Sequence, residues 1–594
     1  MNILQKLGLL IFVLATLSFT AVKKKDPKIT IDGLKKHLVY LSSDKLKGRL
    51  TGSEGDSLSA EYIRKELKSS GLVPLYSNGF QRFRVTDNII LGPSNELTVN
   101  GAKLKLETDF APYSFSQNNS FSGEVVFAGY GFSINEDSLK WNDYDGIDVK
   151  GKIVMVLRAD PEVDKTMSAY IRYSRDRDKV LQAKDLGASA VLLVSGKIFD
   201  SEDKFEALVK GEQSVGIPAI RITRKIANQL LEPQKAVVDD LEKKLNATRK
   251  PSSFKTDVSV SGHADVTETT VPTRNVVMVL PGEDPILKNE YIILGAHFDH
   301  LGMGGKGSSS RQQDTVGVHH GADDNASGVG MVIELAKKLA ATPKSHKRSI
   351  LVMAFSGEEM GLLGSKQFVD HPEIDLTKVN AMVNLDMVGR LNENSMVQIG
   401  GVGTAEPLKK LIYADVDTTV LKLSLSEEGY GPSDHASFYG KNIPVLFIST
   451  GAHLDYHTPA DTWQKINFPG MVKVADVSYK MITDLANMDN KLAYLEAGPK
   501  EQVSRGLRKK GVTLGIMPDF AGNVKNGLRA DFVTPGKPAG LGGMKKGDII
   551  TSINGKEVNN IQDYMFRMSQ LKHGETISVE VLRGTEKVVL LIQL

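Results

Sequence analysis

Between about residues 290 and 450 the chain alternates short, wholly apolar runs with amphipathic stretches. The runs YIILGAHF, RSILVMAF, AMVNLDMV and IPVLFIST carry little polar alternation. Strands covered on both faces have this character. Between the first two, Ser327–Ala340 repeats apolar residues at helical spacing. Strand, helix and strand in succession predict an α/β sandwich around a mostly parallel central sheet. Earlier, Leu34, Leu38, Leu41 and Leu46, then Ala60, Ile63, Leu67 and Leu72, open the segment 28–121 with a helical pattern. From 122 to 265 the pattern turns to short β-rich runs, GEVVFAGYGF and GKIVMVLRA, one helix-like stretch, KVLQAKDLGA, and a further strand, AVLLVSG. The sandwich pattern resumes over 266–493, a polar linker lies near Leu495–Arg508, and 503–594 reads as short strands, glycines and one helix, Asn560–Leu571. There is no internal repeat and no low-complexity tract.

Composition narrows the chemistry. The 594 residues contain no cysteine, which excludes disulfides, a thiol nucleophile and thiolate-bound zinc, so a metal site must use His, Asp and Glu. A net charge of +3 gives no case for nucleic acid. Lys6, the apolar run Leu7–Ala21 and then Lys23–Lys25 form a signal-peptide pattern over residues 1–21. The run is shorter than the roughly 20 residues that a membrane span needs. Export to the periplasm or exterior is therefore expected, with an uncleaved N-terminal anchor as the alternative and no further span.

Five places in the α/β block carry metal-type residues, most at or just past expected strand ends, where open α/β sheets bind ligands. In His297-Phe298-Asp299 the two polar residues share a strand face, so His297 can bind a metal with Asp299 beside it. In GADDNASG, Gly321–Gly328, a carboxylate can bridge two cations, or simply cap a helix. In Ser356-Gly357-Glu358-Glu359 one glutamate can ligate and the other act as general base, although acids at a helix start would look the same. Asp386, inside an apolar strand, needs a compensating cation, from a metal or a buried ion pair. His457, in YHTP, reads as a loop ligand because Pro459 argues against a helix; His453 precedes it by four residues without the HExxH glutamate. Two Zn²⁺ would balance Asp324, Asp386, Glu359 and one hydroxide, with two neutral imidazoles completing the coordination.

The ordered series AHFD, GADDNASG, SGEE, NLDM and YHTPADT resembles metallopeptidase family 28, the di-zinc aminopeptidases, over about residues 28–488. The resemblance implies a phosphorylase/hydrolase-like α/β sandwich. It also implies one zinc on His297 and Asp386, another on Glu359 and His457, and Asp324 bridging them. Glu358 would be the general base working on a metal-bridging hydroxide, Asp299 the partner of His297, and Tyr456 an oxyanion donor. PSDHASF, Pro432–Phe438, also looks like a family motif near the site, with no role assigned to Asp434 or His435. The loop between His300 and Gly321 is longer than in the simplest members, and His319 and His320 within it could transiently meet metal. The block 122–265 resembles a protease-associated domain. The C-terminal block resembles a PDZ domain, through GDII and ING (Gly547–Ile550, Ile553–Gly555), with Leu514, Gly515, Ile516 and Met517 as the loop that captures a peptide carboxylate. Peptides are the expected substrates and a peptide C-terminus or protein segment the expected PDZ partner. A carboxypeptidase or glutaminyl-cyclase-type enzyme on the same scaffold, and a non-catalytic exported binding protein, are the alternatives.

Overall fold

The computed structural model describes residues 27–497 and 512–594, apart from 137, 164, 166, 167, 211, 343–345, 519–523, 525 and 535. The signal-peptide pattern and most of the polar linker lie outside them.

Two helices come first, α1 (Ile31–Leu41) and α2 (Glu54–Ser69). Thr30 and Ser53 cap them, each side chain accepting a backbone N–H from the first turn. Their apolar stripes, Leu34, Leu38 and Leu41 and then Ala60, Ile63 and Leu67, enter the main core.

That core lies against a sheet that has nine strands among the described residues. Its labelled members are β1 (Phe80–Leu91), β2 (Val266–Leu280), β3 (Tyr291–His297), β4 (Ser349–Phe355), β5 (Val379–Leu385), β6 (Met396–Gly400), β7 (Lys422–Leu425) and β8 (Val445–Ser449). The spatial order is β2, β4, β3, β5, β8, β6, β7, with β1 and the short Val73–Pro74 strand also paired to β2. β4, β3, β5 and β8 are mutually parallel, as the continuous apolar runs require. The flanks differ from the mostly parallel expectation: β2 is antiparallel to β1 and β4, and β6 to β8. The sheet is mixed, because β1 and β2 leave for the inserted domain and return from it side by side. Helix α3 (Gly328–Ala341) links β3 to β4, and α4 (Phe468–Asn487) packs on the same face.

The insertion begins earlier than the composition change near residue 122. Strands Glu96–Val99, Ala102–Lys103 and Phe110–Pro112 all join its eight-stranded sheet, not that of the peptidase-like block. These strands are too short to show a period, so they are indistinguishable from loop in the sequence. At the other end, residues up to Ala497 still dock on the α/β block: the Leu495 N–H donates to the Thr404 carbonyl at 2.8 Å and the Tyr439 hydroxyl to the Ala497 carbonyl at 3.0 Å.

The C-terminal domain packs on the inserted one. Its helix Ile561–Ser569 lies against the helix Asp176–Asp185. Phe566 enters the inserted domain's core, Arg177 pairs with Asp563 at 2.8 Å, and both Arg567 and Lys556 reach Asp185. Leu514 is buried in the C-terminal core, and Ile516–Pro518 forms an edge strand paired with Leu528–Val533.

Candidate active site

The four parallel strands end on one side of the sheet, and each releases a loop carrying site residues. β3 ends at His297, β4 leads into Ser356–Glu359, Asp386 follows β5 directly, and β8 leads into the loop bearing His457. The turn before α3 supplies Asp324. Asp386 thus lies one residue beyond its strand and not within it, which lets its carboxylate face the same point as its neighbours.

The geometry divides at Asp324. Its Oδ1 lies 3.3 Å from His297 Nε2, which is 3.5 Å from Asp386 Oδ1. Its Oδ2 lies 3.2 Å from His457 Nε2, which is itself 3.2 Å from Glu359 Oε2. Ligands at about 2.0–2.1 Å around a tetrahedral zinc stand roughly 3.3–3.4 Å apart. These separations match that spacing. Asp324 Oδ2 and Asp386 Oδ1 are buried and accept no hydrogen bond in the described structure, a costly state that a cation relieves. The donor set fits zinc, with imidazole and carboxylate only.

Electrostatics agree. Burial opposes charge on the His297 ring, yet Glu358, Asp386, Asp299 and Asp324 outweigh it and hold its pKa well above the ordinary value. Burial likewise disfavours a charged His457, but Asp324 and Glu359 raise it to about 10. The carboxylates therefore demand positive charge at both positions. Burial drives Glu358 well above the usual carboxyl range, with His297 opposing it and Glu359, Asp386 and Asp434 adding to it. Glu359 is lowered despite burial and Asp324, because His300 and His457 hydrogen-bond to it.

The residues around the ligands are less as expected. Asp299 Oδ1 is 3.8 Å from His297 Nδ1, too far for a hydrogen bond; Nδ1 is nearer the Asp299 carbonyl, at 3.3 Å. The Asp299 carboxylate instead accepts the Glu358 N–H at 3.1 Å, the Glu359 N–H at 3.4 Å and the Thr51 hydroxyl at 2.9 Å. β3 stops at His297, so strand alternation no longer governs where Asp299 points. Asp299 therefore stands at ion-pair distance from His297 and also ties the SGEE turn to the β3 loop. His457 receives the orienting contact instead, its Nδ1 lying 3.1 Å from the Ser309 carbonyl in the long loop. That loop's histidines are engaged elsewhere. His319 Nε2 meets Ser310 Oγ at 2.8 Å, and His320 meets the Pro459 carbonyl and Asp44. Tyr456 stacks on the His457 ring with centroids 3.8 Å apart. His453 Nε2 lies 3.2 Å from Asp323 Oδ2, behind the ligand turn. Asp434 is fully buried and raised to about 7, by burial foremost and by Asp299 and Asp386.

The sequence reading passed over one residue, His300. Its Nδ1 lies 2.8 Å from Glu359 Oε1 and 3.6 Å from Asp324 Oδ2. The first distance is a hydrogen bond, shorter than two ligands of one zinc would keep, so His300 orients Glu359. The AHFDH string held the signal, a second histidine directly after the ligand strand.

Residues 275–482 match the model of peptidase family M28, residues 121–230 that of the PA domain and residues 513–594 that of the PDZ domain. Aminopeptidase YwaD of Bacillus subtilis is 23% identical over 480 residues, covering 78% of this chain and 86% of its own. A protein of Trichophyton verrucosum named probable leucine aminopeptidase is 31% identical over 230 residues, covering 36% of this chain and 57% of its own. The chain thus spans little more than half the length of that fungal relative. Among solved structures, an aminopeptidase from Aneurinibacillus sp. strain AM-1 aligns over 81% of this chain and 98% of its own, with 22% identity and a TM-score of 0.44. A zinc aminopeptidase from Bacillus subtilis aligns over 79% and 98%, with 20% identity and a TM-score of 0.44.

Proposed function

We propose that the chain, whose residues 275–482 match the model of peptidase family M28 beside PA-domain and PDZ-domain matches, is an exported di-zinc aminopeptidase removing N-terminal residues from peptides. One observation carries the two-ion reading: the two oxygens of Asp324 face different candidate ligand groups, His297 with Asp386 and His457 with Glu359. The relatives named as aminopeptidases support the activity, and the imidazole and carboxylate donor set supports zinc.

When bound, the zinc pair acidifies water and polarises the scissile carbonyl. The chain's own residues do the rest. Glu358, held through its N–H by Asp299, takes the proton of the attacking water and passes it to the leaving amine. Tyr456, fixed against His457, donates its hydroxyl to the oxygen that gains charge. His300 keeps Glu359 turned toward His457. The apolar run Leu7–Ala21 supports export; among the described residues no helix is long and apolar enough to cross a membrane.

The test is metal content followed by a substrate panel. About two zinc ions per chain and cleavage of aminoacyl, but not acyl-blocked, chromogenic substrates are expected. Preference for substrates with a free C-terminal carboxylate and a blocked N-terminus would replace aminopeptidase with carboxypeptidase. Cyclisation of N-terminal glutamine with no peptide cleavage would point to a cyclase, and an intact site without turnover to a binding protein.

A further inference from the structure

The loops that carry the ligands rest on a segment far from them in sequence and outside the family match, Gly48–Asp56, which runs from the connection after α1 into the first turn of α2. Arg49 is 1% exposed and makes no ion pair among the described residues. Its Nε donates to the Phe298 carbonyl at 2.7 Å, Nη1 to those of His320, at 2.8 Å, and Leu41, and Nη2 to that of Gly321 at 3.0 Å. Phe298 lies between His297 and Asp299, while His320 and Gly321 open the turn to Asp324. One rigid guanidinium thus joins two ligand loops through their backbones, as a planar fork of donors can and a single ammonium cannot.

The same segment reaches the third loop. The Thr51 hydroxyl donates to Asp299 Oδ2, and Asp299 accepts the N–H groups of Glu358 and Glu359. Asp56 accepts the Ser356 hydroxyl at 2.6 Å and that of Thr273 at 2.9 Å. Backbone contacts close the seam: the His300 N–H donates to the Arg49 carbonyl at 3.1 Å and the Gly302 N–H to that of Gly48 at 2.9 Å. A Cβ on Gly48, at φ +70°, would stand 2.2 Å from the Gly302 carbonyl oxygen, so the two backbones meet where no side chain fits.

We propose that Arg49 and Thr51 are positioning residues, which set the relative places of the His297 loop, the Asp324 turn and the Glu358–Glu359 turn without touching metal or substrate. The inference rests on the metal-centre reading above and extends it to a part of the chain that the family motif does not include. A purely structural segment would affect melting and nothing else. A positioning segment affects zinc affinity and kcat at temperatures where the fold is intact, because ligand separations of a few tenths of an ångström decide both.

The test uses the full chain with Thr51→Val, which keeps the shape and removes the hydroxyl, Thr51→Ser, which restores it, and Arg49→Lys, which keeps the charge and loses the fork. Zinc affinity is measured by competition with a chromophoric chelator, beside thermal melting, kcat and KM on an aminoacyl substrate. Thr51→Val should weaken zinc about 10-fold and lower kcat by a similar factor with KM within about twofold, and Thr51→Ser should recover most of both; Arg49→Lys should weaken zinc by about 10–100-fold. If Thr51→Val and a folded Arg49→Lys keep zinc affinity and kcat within about twofold of wild type, whatever their melting points, the proposal is overturned. Should Arg49→Lys fail to fold, the Thr51 pair decides. A wild-type chain that takes up no zinc overturns the metal-centre reading, and this inference with it.

Discussion

Glu358 and Glu359 are adjacent, yet their surroundings assign them different work. Glu359 Oε2 is 3.2 Å from His457 Nε2 and its other oxygen accepts from His300, so both oxygens are committed. Glu358 stays 4.0 Å from His297 Nε2, and its fixed contact is through its backbone N–H to Asp299. Glu358→Gln leaves that tether and every ligand separation in place and removes only the base. The expected loss is about 10²–10⁴-fold in kcat, roughly 3–5 kcal/mol in the barrier, with close to two zinc ions retained. Glu359→Gln removes a ligand charge and leaves His457 facing one carboxylate in place of two. Zinc affinity at that position should fall by at least about 100-fold, giving near one ion per chain and activity that added zinc partly restores. Zinc by mass spectrometry on desalted protein, beside kcat and KM for an aminoacyl substrate, reads both variants. Loss of metal from Glu358→Gln with retention by Glu359→Gln would reverse the two roles. No change in either would leave the SGEE turn without a catalytic part.

Zinc uptake should be strongly pH-dependent. The carboxylates hold His297 and His457 protonated in the metal-free site, His457 up to about 10, so binding must expel protons and apparent affinity should rise by up to about 100-fold per pH unit across neutrality; a flat chelator competition between pH 6 and 8 would refute this. His300→Asn, whose amide nitrogen can take the place of Nδ1, should keep most activity, whereas His300→Phe should release Glu359 and weaken one zinc about 10–100-fold in the same competition assay. Truncation after Ala497 should leave hydrolysis of small substrates largely intact, since the proposed ligands all precede it. Truncation after Met488 should melt earlier, because it removes the buried Leu492 and its 2.6 Å bond to Asn380; equal melting of the two would show that the tail adds nothing.

How far the sequence could be read follows from the range of each interaction. The candidate ligands His297, Glu359 and Asp386 were legible because each sits on or just past a continuous apolar run, and parallel strands that share a sheet must end on common ground. Where the strand stopped short, the period-two rule misled. Asp299 shares a face with His297 in full only if β3 continues, and it does not, so the carboxylate stays 3.8 Å from the ring and spends its hydrogen bonds on the SGEE backbone. His300 was invisible for the same reason: three residues on in a strand it would face away, whereas in a loop it returns to Glu359. The inserted domain was legible in kind but not in extent, since Glu96–Pro112 contributes strands too short to carry a pattern.

The contacts that escaped altogether are those between charged residues distant in sequence. Nothing in the sequence pairs Arg177, Asp185, Asp563 and Arg567, yet they meet where the C-terminal helix packs on the inserted domain, and Arg177 and Asp563 are buried there. Taking these charges out of water is costly unless each finds its partner, so the interface favours one docked arrangement over many. The helix involved, Ile561–Ser569, also packs beside the loop at Leu514 within its own domain. A peptide seated at that loop would therefore press on an element already fixed to the inserted domain. Binding there can shift the inserted domain only to the extent that it bonds differently to the docked and undocked states, which makes Arg567→Ala the informative background for any peptide titration. With the Asp185 contact gone, a coupling between peptide binding and hydrolysis should disappear, while hydrolysis of small substrates alone should persist.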